Sequence, residues 1–191
     1  MKIIFIRHGK TAGNMQGKYI GKTDEPLCEE GIDAIKPAYP AASSIYSSPF
    51  VRCLQTAKII YGNAEIKIIE NLKEIDFGDF EGKSYEELKG NADYIRFIDS
   101  GGTGQIPNGE NTIDFKNRCC EGFAQIVNEL KENHQNSAAI VCHGGTIMAI
   151  LEHFDKEQKG FYEYQVKNGG SYVTEYDLEN NMLAVIEKIG E

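Results

Sequence analysis

The chain predicts an α/β protein: a three-layer α/β/α sandwich around a mostly parallel sheet, with one antiparallel edge strand. Three observations carry this. Short β-branched apolar runs recur along the chain, helical patterns lie between them, and 191 residues suit one domain with a sizeable core. Strands buried on both faces read as unbroken apolar runs, and such sheets bind ligands just beyond their strands' C-terminal ends.

The strands are expected at Lys2–Ile6, Ser44–Ser47, Ile66–Ile69, Ala138–Val141, Tyr172–Tyr176 and Met182–Glu187. Pro49–Tyr61 predicts a helix with Pro49 in its first turn, Ser48 as N-cap and an end near Gly62. Thr112–Asn133 predicts a long amphipathic helix, with Ile113, Phe115, Phe123, Ile126, Val127 and Leu130 as core residues. Gly144–Phe154 reads as a short buried helix. The last two strands, joined through Asn180-Asn181, form a hairpin. From Gly82 to Glu110 the chain is polar, glycine-rich and poorly periodic. The segment 76–110 is expected to lay short helices and loops over the sheet edge as a candidate lid. Without internal repeat, low-complexity tract or linker, residues 1–191 read as a single domain.

The formal net charge is −9. No global positive field attracts phosphate backbones, which argues against a general nucleic-acid or anionic-membrane binder. Five cysteines stand in no zinc-type spacing, so reduced thiols in a cytoplasm are expected. Arg7-His8 interrupts the first apolar run too early for a signal peptide, and no stretch is long enough to span a bilayer.

Three strand-to-helix junctions carry chemistry. The first strand ends in Arg7-His8-Gly9-Lys10-Thr11. The strand at Ala139–Cys142 ends in His143-Gly144-Gly145, where a helix N-terminus adds N–H donors and a positive dipole end. If the two strands are parallel neighbours, His8 and His143 meet at one edge. The strand ending at Ser47-Ser48 enters a helix whose first turn carries Arg52, and arginine's planar fork suits phosphate. An acidic segment, Glu74 to Glu81, can supply a proton donor. His134 and His153 read as surface or helix-end histidines.

These blocks resemble the histidine phosphatase superfamily, the phosphoglycerate-mutase-like group. Arg7-His8-Gly9 matches its signature, with Asn14 at the downstream phosphate-binding position. Gly21–Leu27 with Glu29-Glu30-Gly31 looks like its second block. Ser47-Ser48-Pro49, Arg52 and Gln55-Thr56-Ala57 match its third. Glu74, Phe77-Gly78 and Glu81-Gly82 match the acid-bearing block. Pro107-Asn108-Gly109-Glu110 and His143-Gly144-Gly145 follow in order, so the resemblance runs from about residue 3 to about residue 151. Lys10 stands where glutamate is usual, either adding charge beside the nucleophile or pointing outward. Cys142 stands where a small or hydroxyl residue is usual, either as packing or as an oxidisable thiol.

The resemblance implies a phosphohistidine on His8, with Arg7, Arg52 and His143 neutralising the phosphate. Asn14, Thr23 and Gly144 are further phosphate contacts. Two arginines are expected to keep His8 neutral and the empty-site Glu74 ionised. A bound phosphate dianion then raises the Glu74 pKa, and Glu74 protonates the leaving alkoxide. No metal and no cofactor are implied, and the partner is a small phosphorylated metabolite. The short chain favours hydrolysis over mutase chemistry. The blocks look most like α-ribazole-5′-phosphate phosphatases and broad-specificity relatives, and they also occur in phosphatases of fructose 2,6-bisphosphate. A catalytically silent binding module on the same scaffold is the contrasting class. Lys22, Thr23, Tyr85, Tyr94 and Arg96 are candidate lining residues. Oligomeric state is open between monomer and homodimer.

Overall fold

The computed structural model describes residues 1–35 and 39–190. Six strands form one sheet: β1 (Lys2–Arg7), β2 (Ser44–Ser47), β3 (Ile66–Ile68), β4 (Ser137–Cys142), β5 (Ser171–Asp177) and β6 (Met182–Ile189). Their order is β3-β2-β4-β1-β5-β6. The pairs β2–β3, β2–β4 and β1–β4 are parallel, whereas β5 runs antiparallel to β1 and β6 antiparallel to β5. The strand that opposes the others therefore lies one place in from the edge, and β6 closes that edge. Their connection turns with Asn181 at φ 55°. Asp177 Oδ1 accepts the N–H groups of Glu179 and Asn180 there, an aspartate turn that replaces two ladder bonds.

The helices are α1 (Ala12–Met15), α2 (Glu29–Asp33), α3 (Val51–Tyr61), α4 (Tyr85–Leu88), α5 (Ala92–Asp99), α6 (Thr112–Glu132) and α7 (Gly144–Phe154). The side-chain period of two splits β1 between the sheet's two faces. Ile3 and Phe5 join the larger core with Phe115, Phe123 and Leu130 of α6 and Ile147 and Ile150 of α7. Ile4 and Ile6 face the other way, against Cys53 and Ala57 of α3. Helices thus cover both faces, which is the expected sandwich.

Two local expectations are corrected. Helix α3 begins at Val51 rather than Pro49, with Phe50 at its N-cap position. Ser48 does not cap it with a strong bond, because its hydroxyl is engaged 2.8 Å from His143 Nε2. Asp24 Oδ1 accepts the Val51 N–H instead, at 2.7 Å. Ile113 is 64% exposed, not core. The buried stripe of α6 runs through Thr112, Phe115, Cys119, Phe123, Ile126, Val127 and Leu130, and Ile113 lies one step off it.

The segment 76–110 carries α4, α5 and a 3₁₀ turn at Gly78–Phe80. Phe80, Leu88, Tyr94, Phe97 and Ile106 sink into the larger core, so the segment is packed down beside the sheet edge. Among the described residues no helix is long and apolar enough to cross a membrane.

Candidate active site

The parallel register of β1 and β4 builds the site. Arg7 pairs with Cys142, so His8 and His143 leave the sheet side by side, with ring centroids 5.1 Å apart. The His8 N–H donates to the Cys142 carbonyl at 3.0 Å, and Ser48 N donates to Val141 O from β2, bringing the third junction to the same edge.

His8 is 4% exposed. Its Nδ1 lies 2.7 Å from the Gly9 carbonyl. A carbonyl only accepts, so Nδ1 carries the proton and Nε2 keeps a free lone pair. Burial holds His8 well below the ordinary imidazole range, and Arg52 and Arg7 add to that. The expectation of a neutral His8 therefore holds, with desolvation ahead of the arginines. Gly9 N donates to Thr56 Oγ1 at 3.0 Å, and Asn168 Nδ2 donates to the His8 carbonyl at 3.2 Å, so the nucleophile's backbone is tied on both sides.

Arg52 is fully buried. Its Nε donates to His143 Nδ1 at 3.3 Å, Nη1 to Thr23 O at 2.7 Å and Nη2 to Gly21 O at 2.9 Å. Arginine has no acceptor, so His143 Nδ1 accepts and its proton sits on Nε2, facing Ser48 Oγ. Burial, then Arg52, holds His143 well below its ordinary range. This corrects the expectation that His143 brings positive charge: it is a neutral hydrogen-bond donor. Arg7 donates through Nη1 to Val166 O at 2.7 Å, while its buried Nε has no partner.

Glu74 Oε2 accepts the Gly145 N–H at 3.0 Å, and Oε1 accepts the Ile75 N–H at 3.1 Å. Burial pushes its carboxyl above the ordinary range, against those two N–H groups, Arg52 and Arg7. The arginines act on Glu74 in the expected direction, but desolvation outweighs them and displaces its carboxyl upward. Both glycines of the last block lie close against side chains of the site, Gly145 the more tightly. A Cβ on Gly145 stands 2.3 Å from Glu74 Oε1, and one on Gly144 stands 3.2 Å from Arg7 Cζ. The Gly145 amide is spent on Glu74.

A cavity of about 970 Å³ opens beside these groups. Arg7, His8, Asn14, Glu74 and Gly144 line it, whereas Arg52 and His143 lie behind them. Asn14 Oδ1 accepts from Thr11 N and Asn168 Nδ2, leaving its amide nitrogen to donate. Thr23 does not reach the cavity with its side chain; it contributes its backbone, donating to Glu81 and accepting from Arg52. The other candidate lining residues also stand elsewhere. Lys22 pairs with Asp76 at 3.0 Å, Tyr85 is exposed, and Arg96 pairs with Asp93 on the outer face of α5. Tyr94 turns inward, its hydroxyl 2.7 Å from that of Tyr19. The aromatic wall consists of Tyr19, Phe77, Phe97, Phe115, Phe161 and Tyr162. Lys10 is exposed and outside this lining, which favours its pointing outward, and Cys142 is fully buried with its thiol pushed well up by burial, which favours packing.

The sequence reading passed over Asn168 and Arg118. Asn168 carried no motif signal. Arg118 lies in helix α6, eight residues after Glu110, and binds that carboxylate through Nε at 2.6 Å and Nη2 at 2.8 Å. The same guanidinium donates to the carbonyls of Asn71, Lys73 and Glu74. It clamps the loop that delivers Glu74. Among the described residues no three His, Cys, Asp or Glu side chains gather as metal donors do.

The chain is 33% identical over 156 residues to the Bacillus subtilis protein named "Uncharacterized phosphatase PhoE", covering 78% of this chain and 75% of that one. A phosphoserine phosphatase from Entamoeba histolytica, solved with 3-phosphoglyceric acid, superposes with a TM-score of 0.78 at 29% identity, covering 100% of this chain and 97% of that one. The α-ribazole phosphatase of Shigella flexneri shares the fold, with a TM-score of 0.81 at 22% identity over 100% and 96% of the two chains. Residues 3–188 match the model of the histidine phosphatase superfamily (branch 1), and with that match over nearly its whole length the chain belongs to this superfamily, as an enzyme of the phosphomonoesterase kind.

Proposed function

We propose that the chain hydrolyses a small phosphorylated metabolite without a metal, through a phosphohistidine on His8. One observation carries the reading: a neutral His8 with its Nε2 lone pair free stands at one cavity with a carboxyl that burial holds toward its protonated form. Burial thus favours, in nucleophile and acid alike, the protonation state that the first step needs.

In that step His8 Nε2 attacks phosphorus in line and the ester P–O bond breaks. Glu74 gives its proton to the departing alkoxide. Arg7 and the Asn14 amide stabilise the equatorial oxygens from the cavity wall, Arg52 adds its charge from behind them, and the His143 Nε2–H joins by exchanging Ser48 Oγ for the phosphate; the orphaned Arg7 Nε gains a partner. In the second step the Glu74 carboxylate takes a proton from water as that water attacks the phosphohistidine. Phosphate leaves, and both groups return to their starting states.

The substrate we put first is α-ribazole 5′-phosphate. The aromatic wall suits a ring-bearing leaving group. Phosphoserine is the second reading, favoured by Lys18 and Lys167 at the cavity, which can meet a carboxylate, and by the phosphoserine phosphatase likeness. The experiment is turnover of α-ribazole 5′-phosphate, phosphoserine, 3-phosphoglycerate, fructose 2,6-bisphosphate and p-nitrophenyl phosphate in EDTA, by wild type and His8→Ala. Metal-independent turnover lost in His8→Ala is expected. Folded protein that turns over none of them points instead to a mutase or a silent binding module.

A further inference from the structure

The carboxylate of Glu81 takes part in no step above, yet it connects to the reacting groups through a short loop. Its Oε1 accepts two backbone N–H groups, from Gly21 at 2.8 Å and Thr23 at 3.0 Å. The carbonyls of the same two residues accept Arg52 Nη2 at 2.9 Å and Nη1 at 2.7 Å. Arg52 Nε then donates to His143 Nδ1. Gly21 and Thr23 thus each face Glu81 with their N–H and Arg52 with their carbonyl.

We infer that Glu81 is a positioning residue: by holding the Gly21–Thr23 loop it aims the Arg52 guanidinium, and Arg52 in turn fixes His143 as its Nε2–H tautomer.

The loop has little else to hold it. Lys22, Thr23 and Asp24 are exposed, and the remaining ties are surface contacts, Lys22 to Asp76 and Asp24 to Val51 N. Gly21 is pressed onto the acid-bearing segment, where a Cβ stands 1.9 Å from Ile75 O, beside Glu74. Glu81 therefore closes a frame in which Glu74 and the Arg52–His143 pair share one backbone support. The tautomer matters because the alternative ring, protonated at Nδ1, meets the Arg52 Nε–H with a second donor and offers a lone pair where phosphate needs a donor. Free of its two carbonyls, the long Arg52 side chain regains rotamers and stops selecting one tautomer.

The tautomer claim stands by itself; only its effect on turnover rests on the proposed function. The test is ¹⁵N NMR of the His143 ring in histidine-labelled protein, assigned with His143→Gln, beside kcat with p-nitrophenyl phosphate. Glu81→Ala is expected to move the His143 nitrogens from a single Nε2–H pattern toward a tautomer mixture. Its kcat should fall by roughly 10²-fold, the scale of a misplaced reacting group. Glu81→Gln keeps an Oε1 acceptor for both amides and should restore the wild-type pattern. If Glu81→Ala does not fold, Glu81→Asp, whose carboxylate is withdrawn by one methylene, carries the same expectation. Folded Glu81→Ala or Glu81→Asp with wild-type nitrogen shifts overturns the inference, and so does Glu81→Gln with the alanine pattern. Turnover that survives His8→Ala overturns the functional reading while leaving the tautomer result as it stands.

Discussion

Gly145 and Glu74 are mutually fitted: the glycine N–H donates to Oε2 at 3.0 Å, and a Cβ in its place stands 2.3 Å from Oε1. A side chain there drives the carboxyl out of reach of the leaving group. Gly145→Ala should lower kcat by about 10²-fold for an alkyl phosphate, the usual worth of a general acid. The loss should be much smaller for p-nitrophenyl phosphate, whose leaving group needs no proton. Steady-state kinetics on the two esters checks this, and equal losses would place the damage elsewhere.

The pH–rate profile has a definite sign. The active form has His8 neutral and Glu74 protonated. His8 lies well below 6.5 and Glu74 lies above 4.5. The acid limb, where His8 protonates, is therefore displaced well below the ordinary histidine value. The alkaline limb, where Glu74 loses its proton, is displaced above the ordinary glutamate value. An acidic to neutral optimum is expected for kcat/KM on an alkyl ester. A rate that rises continuously into alkaline pH contradicts the assignment of Glu74 as acid.

Arg118 carries structural weight through its fork on Glu110 and its bonds to three consecutive-region carbonyls. Both side chains of the pair are about four-fifths buried, at 22% and 21% exposure. Arg118→Met leaves Glu110 and three carbonyls without their donor, and it should cost about 3 kcal/mol. Urea unfolding measures this, and kcat should fall with it because the Glu74 backbone is released.

Thr56 Oγ1 accepts the Gly9 N–H and donates to the Arg52 carbonyl. Thr56→Val keeps the shape and orphans a buried N–H beside the nucleophile. A cost of about 1–3 kcal/mol is expected, read as a lower unfolding midpoint.

Much of this site was legible because the motif residues sit at strand ends, where the register dictates the outcome. His8 and His143 each follow a buried strand, and parallel pairing of β1 and β4 leaves them little choice but to meet. Arg52 and Gly144 follow from junctions of the same kind, and Glu74 from the acidic segment that matches the family's acid-bearing block. What the sequence hid was set by long-range satisfaction of polar groups. Nothing local distinguishes Asn168 from another loop asparagine, and its role exists only because β5 brings its loop beside Asn14 and His8. Thr23 illustrates the reverse: its motif position is right, but its backbone, not its hydroxyl, meets Arg52. Tyr94 and Arg96 were misread because α5 presents its tyrosine to the core and its arginine to solvent, a matter of helix phase that the polar segment 82–110 obscured. The direction of the Glu74 shift turned on burial, which no motif displays.

The most direct test of the account is rapid acid-free quenching during turnover of a ³²P-labelled monoester, followed by peptide mapping. A label on His8 that is stable to alkali, labile to acid and formed as fast as turnover is the predicted result. Full turnover without labelled His8, or the same label rate in His8→Ala, would contradict the phosphohistidine mechanism.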